Sequence, residues 1–331
     1  MGTASDRHQL QIIVSQRGPV LLLRDADASG ISRAVVRRLF DRGELVRLGK
    51  GAFAPTAVIE AASAWEAFRL KSIAFGRSCG EGAFLTGASA AAVMRLPMIS
   101  SPPELPVVIR PGNAHLGHDR TPYGRSRHGH LPTVHRTRRD GVATVSPAYC
   151  AVDIARHFGP QDGLVVADAV LASGISREVL AALVAGLERY PGVEAARWVV
   201  EHADARAESP LETLGRMAFL GAGLVAPISN AWIPVHGRWY RADHLLPDAG
   251  VILEADGAVK YDNRSDASRL ISDDRHRERD LRSLTFGVAR YGWSVAVQHP
   301  GEIVRRAREA ERLRNGLAAP TCWTLDPPWG R

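Results

Sequence analysis

Val251-Ile252-Leu253-Glu254-Ala255-Asp256-Gly257 decides how this chain is read. Three aliphatic residues running straight into two carboxylates describe a buried strand that ends in charge, where charge is costly. Side chains alternate along a strand, so Glu254 and Asp256 share one face and Ala255 takes the other. A second strand, Trp239 to Leu246, lies just upstream and carries Asp243. Between the two, Pro247-Asp248-Ala249-Gly250 has the composition of a tight turn. With those four residues as the loop, Leu246 faces Val251, and counting back sets Asp243 opposite Glu254. Directly opposed strand residues have Cβ atoms about 4.5–5.5 Å apart, and like charges there destabilise a sheet. A divalent cation bound by oxygen ligands is the simplest way to offset that repulsion. A plainer arrangement also fits: the same register sets Arg241 opposite Asp256, which describes a surface ladder with one cross-strand ion pair. A one-residue slip in the turn would separate Asp243 from Glu254 altogether.

The rest of the composition bounds the function. With 331 residues the chain is long enough for two or three domains. Its hydrophobic fraction of 45% and aromatic fraction of 6% suit an ordinary globular protein. No apolar run approaches the roughly 20 residues of a membrane span, and Met1-Gly2-Thr3-Ala4-Ser5-Asp6 lacks the regions of a signal peptide. Cys79, Cys150 and Cys322 are widely spaced with no CxxC pair, which points to a reducing compartment and away from a cysteine zinc site. A cytoplasmic location, with no membrane partner, is the expectation. The net charge of +7 and pI near 9.7 favour a polyanionic partner. Lys50, Lys71 and Lys260 are the three lysines, so arginine supplies almost all the positive charge.

Three segments follow along the chain. Residues 1–55 read as three helices and a hairpin. Ile31, Val35 and Leu39 recur at helical spacing, Gly43 is a stop signal, and Arg33, Arg37 and Arg38 occupy the opposite face. Glu44–Leu48 and Ala52–Ala54 flank the turn Gly49-Lys50-Gly51. Helices followed by a basic hairpin describe a winged helix-turn-helix, with its recognition helix in the major groove and its wing on the backbone. Arg33, Arg37, Arg38, Arg47 and Lys50 are the expected DNA contacts; a solvated arginine face is the plainer alternative. Residues 56–205 read as a mixed α+β connector: Ala-rich helix over 61–96, a strand at Glu104–Arg110, and helices at Ala148–His157, Leu164–Ala172 and Arg177–Leu187. Its arginines and histidines, His115 and His118 among them, suit a loop-rich surface touching phosphate better than a zinc site. Residues 206–331 begin with the capping box Ser209-Pro210-Leu211-Glu212. The order there is helix, strands, a basic helix over Asp274–Leu284, a strand at Phe286–Arg290, and a helix over Glu302–Asn315. An α/β multi-domain chain is the expected fold class.

Two families are resembled. Residues 208–293 resemble the nuclease-like domain related to very-short-patch-repair endonucleases, within the PD-(D/E)XK restriction-endonuclease-like superfamily. The resemblance rests on Glu208-Ser209-Pro210-Leu211-Glu212, Arg241-Ala242-Asp243, Glu254-Ala255-Asp256-Gly257 with Lys260-Tyr261, and Arg277-Glu278 followed by Leu281, Arg290 and Trp293. It implies an α/β/α fold, magnesium held by Asp243 and Glu254, and a magnesium-dependent DNA endonuclease. Asp256 stands where many members carry lysine, Lys260 could restore that charge, Glu212 is a further catalytic candidate, and Arg277 a phosphate contact. Asp274 and Thr285 depart from the pattern, where relatives carry Glu and Gly. Residues 8–55 are similar to the N-terminal winged helix of AbiEi-type antitoxins of type IV toxin–antitoxin systems, through Arg37-Arg38, Gly43-Glu44-Leu45-Val46-Arg47 and Gly49-Lys50-Gly51. Gly87-Ala88-Ser89-Ala90-Ala91 with Leu96-Pro97, and Val152-Asp153-Ile154-Ala155, look like the rest of that module. This second resemblance implies a DNA-binding antitoxin or repressor, with a nucleotidyltransferase toxin as its partner and the nuclease fold as a degenerate DNA grip.

Overall fold

A capped helix and a hairpin open the chain. In the computed structural model, which describes residues 3–26, 30–112, 118–257, 280, 281, 283–327 and 329, the first elements are α1 (Thr3–Arg17), β1 (Leu21–Leu22), α2 (Leu23–Ala26), α3 (Arg33–Asp41), β2 (Leu45–Gly49) and β3 (Ala52–Pro55). Ser32 caps α3 by accepting a hydrogen bond from the Val35 N–H at 3.3 Å, the expected device for an orphan donor at a helix start. Val35, Val36 and Leu39 turn inward onto Leu10, Ile13, Ile31 and Phe53. The strands pair antiparallel in the order β1-β3-β2. Gly51, at φ +68°, makes the wing's turn in a backbone region that suits glycine.

The second segment contains α4 (Thr56–Glu60), α5 (Ala64–Ser78), β4 (Phe84–Leu85), α6 (Gly87–Met94), β5 (Val107–Pro111), β6 (His118–Thr121), β7 (Gly124–Gly129), β8 (Arg136–Arg139) and β9 (Val142–Val145). Helices α7 (Pro147–Phe158), α8 (Pro160–Ala172), α9 (Arg177–Ala185) and α10 (Val193–His202) follow. The stretch expected to be loop-rich is instead a six-stranded mixed sheet, ordered β6-β7-β5-β4-β9-β8. Strands β6, β7 and β8 escape a reading by alternation because they are rich in arginine and histidine. All four residues of β8 are exposed, so no apolar period marks it. A buried ion pair ties this sheet to the helices: Asp153 of α7, almost wholly buried, meets Arg127 of β7 and accepts from Thr86 Oγ1 at 2.7 Å.

The third segment runs α11 (Pro210–Gly221), β10 (Ile228–Val235), β11 (Arg238–Leu246), β12 (Val251–Asp256), β13 (Gly287–Gly292), α12 (Trp293–Gln298) and α13 (Pro300–Arg312). Its sheet has the order β10-β11-β12-β13; the first three strands are antiparallel and β13 joins β12 in parallel. Val251, Ile252 and Leu253 are wholly buried, as an unbroken aliphatic run in an inner strand requires. Strand β10 went unread in the sequence. The chain is therefore an α/β protein in two compact units, Met1–Val166 with Ile175–Glu201, and Ala167–Gly174 with His202–Arg331.

Candidate functional site

The turn expected between the two acidic strands forms as read. The Gly250 N–H donates to the Pro247 carbonyl at 3.1 Å. Strands β11 and β12 then pair through His244↔Leu253, Leu245↔Ile252 and Leu246↔Val251. The same count sets Asp243 across from Glu254. Past Leu253 the side chain of Asp243 takes over from the backbone ladder, its Oδ2 accepting from the Ala255 N–H at 2.7 Å. One oxygen of that carboxylate is thus held in place.

Glu212 approaches the same spot from the first turn of α11. The Ser209 hydroxyl accepts from the Glu212 N–H at 3.2 Å and donates back to Glu212 Oε1 at 2.7 Å. Glu212 Oε2 accepts from the Glu208 N–H at 2.9 Å and from Asn230 Nδ2 at 2.8 Å. The buried carboxyl has a raised pKa, first through burial, with the nearby charge of Asp243 adding to it against these hydrogen bonds. Both oxygens accept from protein donors, which forms the capping box read from the sequence.

Tyr291 of β13 marks where the acids converge. Its hydroxyl pKa is raised by burial and then by the charges of Asp243, Glu212 and Glu254. Asn230, counted along β10 and β11, sits beside Asp243, and its φ of +56° is uncommon for a residue within a strand. Its Oδ1 accepts from Arg241 Nε at 2.9 Å, and Arg241 also pairs with Glu208. Neither Asn230 nor Tyr291 was singled out from the sequence. Tyr291 adjoins the quoted Arg290, whereas nothing in the unread strand β10 signalled Asn230.

Asp256 is exposed, with Arg290 Nη1 at 3.3 Å from its Oδ1. Lys260 and Arg277, together with His115 and most of the basic helix expected over Asp274–Leu284, fall outside the described residues. Among the described residues, no three His, Cys, Asp or Glu side chains are grouped to hold a metal ion. The oxygen donors set opposite each other across β11 and β12 are Asp243 and Glu254, a pair that would have to be completed by water. One or two carboxylates with several waters is a common magnesium arrangement, so the donor set fits.

The expected DNA-binding residues divide into two groups. Arg33 and Arg37 are exposed on the outer face of α3 and Lys50 is exposed on the wing; Arg37 lies 3.8 Å from Asp41. Arg38 instead clamps the buried Asp6 through Nε at 3.1 Å and Nη2 at 2.9 Å. That bond, ahead of the opposing effect of burial, holds the Asp6 carboxyl below its usual range. Arg47 lies over the rings of Phe40 and Phe53, 5.6 and 5.5 Å from their centroids. Arg38 and Arg47 make these contacts while remaining exposed.

No helix among the described residues is long and apolar enough to cross a membrane. Two proteins of Mycobacterium tuberculosis, the uncharacterized protein MT2308 of strain CDC 1551 / Oshkosh and the uncharacterized protein Rv2248 of strain H37Rv, are each 28% identical over 182 residues. These matches cover 54% of this chain and 65% of the relatives' own length, just under two thirds. The crystal structure of the RV2827C protein from Mycobacterium tuberculosis aligns with 69% of this chain and 84% of its own, at 18% identity and a TM-score of 0.37. Residues 8–56 match the model of a family described as a transcriptional regulator, AbiEi antitoxin, and that match falls on the winged-helix segment from α1 to β3.

Proposed function

We propose that this chain is a duplex-DNA-binding regulator of the antitoxin type that reads DNA through α3 and the wing. The observation that carries the reading is the exposed basic face of the winged helix, on the segment that matches the regulator family. Arg33, Arg37, Arg38, Arg47 and Lys50 are all exposed, Arg38 half-exposed even while it pairs with Asp6, on the face such a fold turns to DNA. Phosphate neutralisation releases counterions, so duplex binding by the full chain should weaken steeply as salt rises. Fluorescence anisotropy on a labelled duplex at several salt concentrations tests this. Flat, salt-independent or absent binding would sink the reading. A toxin partner of the nucleotidyltransferase class belongs to the same proposal and would be sought by copurification with the product of a neighbouring gene.

The opposition of Asp243 and Glu254 across β11 and β12 favours a second reading, magnesium-dependent phosphodiester cleavage by a restriction-endonuclease-like domain over residues 206–331. Asp243 and Glu254 would hold the ion, which would polarise a phosphate and make a bound water more acidic. On this chain's own side, the Ala255 N–H fixes Asp243, and the capping box keeps Glu212 oriented. Incubating the full chain with plasmid and magnesium, beside Asp243→Ala, decides it: nicking that vanishes in the variant supports cleavage. Intact plasmid in both leaves the domain as a DNA grip.

A further inference from the structure

A cleft of about 650 Å³ in the first unit is lined by Arg24, Arg77, Arg136 and Arg138, with Glu81 the carboxylate among its lining residues. Arg24 belongs to α2 of the winged helix, Arg77 to the end of α5, and Arg136 and Arg138 to β8 at the edge of the six-stranded sheet. The neighbours of these guanidinium groups are mostly neutral carbonyls. Arg77 donates to the carbonyls of Asp140 at 2.9 Å and Val20 at 3.5 Å. Arg136 donates to the Leu131 carbonyl at 2.9 Å and lies 5.8 Å over the Phe84 ring. Arg138 donates to the Gly141 carbonyl at 3.0 Å. Arg24 donates to the Arg77 carbonyl at 2.8 Å and has Asp25 at 3.7 Å. Each guanidinium has five N–H donors, so these contacts leave most of them for water or a ligand. Burial lowers the pKa of Arg77, against the opposing charges of Asp25 and Asp140. Crowded like charges beside a partly desolvated guanidinium are a cost that an anion would relieve.

We infer that this cleft is a second track for the phosphodiester backbone of duplex DNA, continuous with the winged helix through Arg24. The inference rests on the DNA-binding reading above and extends it to the middle segment. Three features select a duplex over a single free anion. Arg136 and Arg138 are two residues apart on one strand, so they share a face and stand roughly 6.6 Å apart along it, a row rather than a point. The four β8 residues, Arg136-Thr137-Arg138-Arg139, are all exposed. The cleft is also open, with arginines contributed by three separate elements. A charged edge strand otherwise serves to block sheet-to-sheet association, and that is the alternative the test must separate.

The test compares full-length wild type, Arg136→Ala/Arg138→Ala and Arg33→Ala/Arg37→Ala on one duplex between 50 and 200 mM salt. Each phosphate contact contributes about 0.9 to the slope of log affinity against log salt. Loss of the cleft pair should therefore flatten the slope by roughly 1.8 and weaken low-salt binding at least tenfold. Arg136→Lys/Arg138→Lys should restore most of the slope and, being charge-preserving, also guards against a folding defect. An unchanged slope in the cleft variant, with a reduced slope in the α3 variant, overturns the second track and leaves the winged-helix reading intact. Wild type that binds no duplex overturns both. Full displacement of DNA by millimolar inorganic phosphate at constant ionic strength would make the cleft a free-anion site and overturn the backbone assignment.

Discussion

His244 lies wholly buried beside the acidic group, with a ring that stays neutral. Burial first, then the charge of Arg216, lowers its pKa to about 3. Its Nε2 is 2.6 Å from Tyr291 Oη, which is itself 3.2 Å from the Leu211 carbonyl. The phenol has one proton to give. If it goes to Leu211, Nε2–H can donate to Tyr291, and only the Nδ1 lone pair remains without a partner. A bare buried acceptor is tolerated better than a stranded N–H. The unfolded ring titrates near 6.5 and the folded one near 3, so between those values the unfolded chain binds the extra proton. Stability is then complete above about pH 6.5 and is lost as pH falls toward 3, by about 1.4 kcal/mol per pH unit within that window. Urea denaturation between pH 7 and pH 4 should show this slope, and His244→Gln should remove one proton's worth of it. An identical pH slope in the variant would mean that His244 is not the titrating group. The same cluster predicts a steric cost at Gly215, where a Cβ would lie 2.0 Å from Tyr291 Oη and 2.6 Å from His244 Nε2. Gly215→Ala should lower the unfolding free energy by about 2 kcal/mol in the same denaturation measurement.

Helix α3 carries three exposed arginines within nine residues, of which Arg38 is also tied to Asp6. Its inner face buries Val35, Val36 and Leu39. One edge is tied down, because Arg38 and Arg42 both reach Asp6, a carboxylate only 4% exposed. Arg33 and Arg37 occupy the remaining outer face. Removing Arg38 leaves the Asp6 carboxylate with Arg42 at 3.4 Å, a weaker partner for a buried charge, which costs more than losing an exposed pair. Arg38→Ala should therefore lower the melting temperature clearly. Arg33→Ala/Arg37→Ala should stay within about 0.5 kcal/mol of wild-type stability while flattening the salt slope of DNA binding by roughly 1.8. Circular dichroism melts and anisotropy on the same preparations separate the two effects; a destabilised Arg33/Arg37 variant with unaltered binding would reverse the assignment. These roles were not legible in the sequence. The helix, its glycine stop and its apolar stripe were, because they depend on spacing within one element. Which arginine met Asp6 depended on contacts more than thirty residues apart in the chain.

For the whole molecule, the proposed magnesium site makes a prediction through linkage. An ion that binds the folded state alone raises its stability by mass action. With millimolar affinity, 10 mM magnesium should add on the order of 1 kcal/mol, roughly 2–4 °C in the unfolding of a unit of this size. Glu254→Gln should abolish the shift, as read by differential scanning calorimetry of the full chain. No shift in wild type with either magnesium or manganese would remove the metal from the proposal and leave the DNA-binding reading standing. By itself the sequence determined the winged helix, the strand β12, the turn at Pro247–Gly250 and, through them, the opposition of Asp243 and Glu254. Each is encoded by local chemistry: an apolar period, a glycine stop, a turn of four residues and the two-residue alternation of a strand. Only the tertiary structure decided the six-stranded middle sheet, the bond between Asn230 and Glu212, the pairing of Asp256 with Arg290, and the gathering of Arg24, Arg77, Arg136 and Arg138 into one cleft. The physical reason is that an arginine- or histidine-rich strand has no apolar rhythm to announce it. A charged side chain takes its role from whichever distant partner the fold brings within hydrogen-bonding reach, and that is a property of the packed chain.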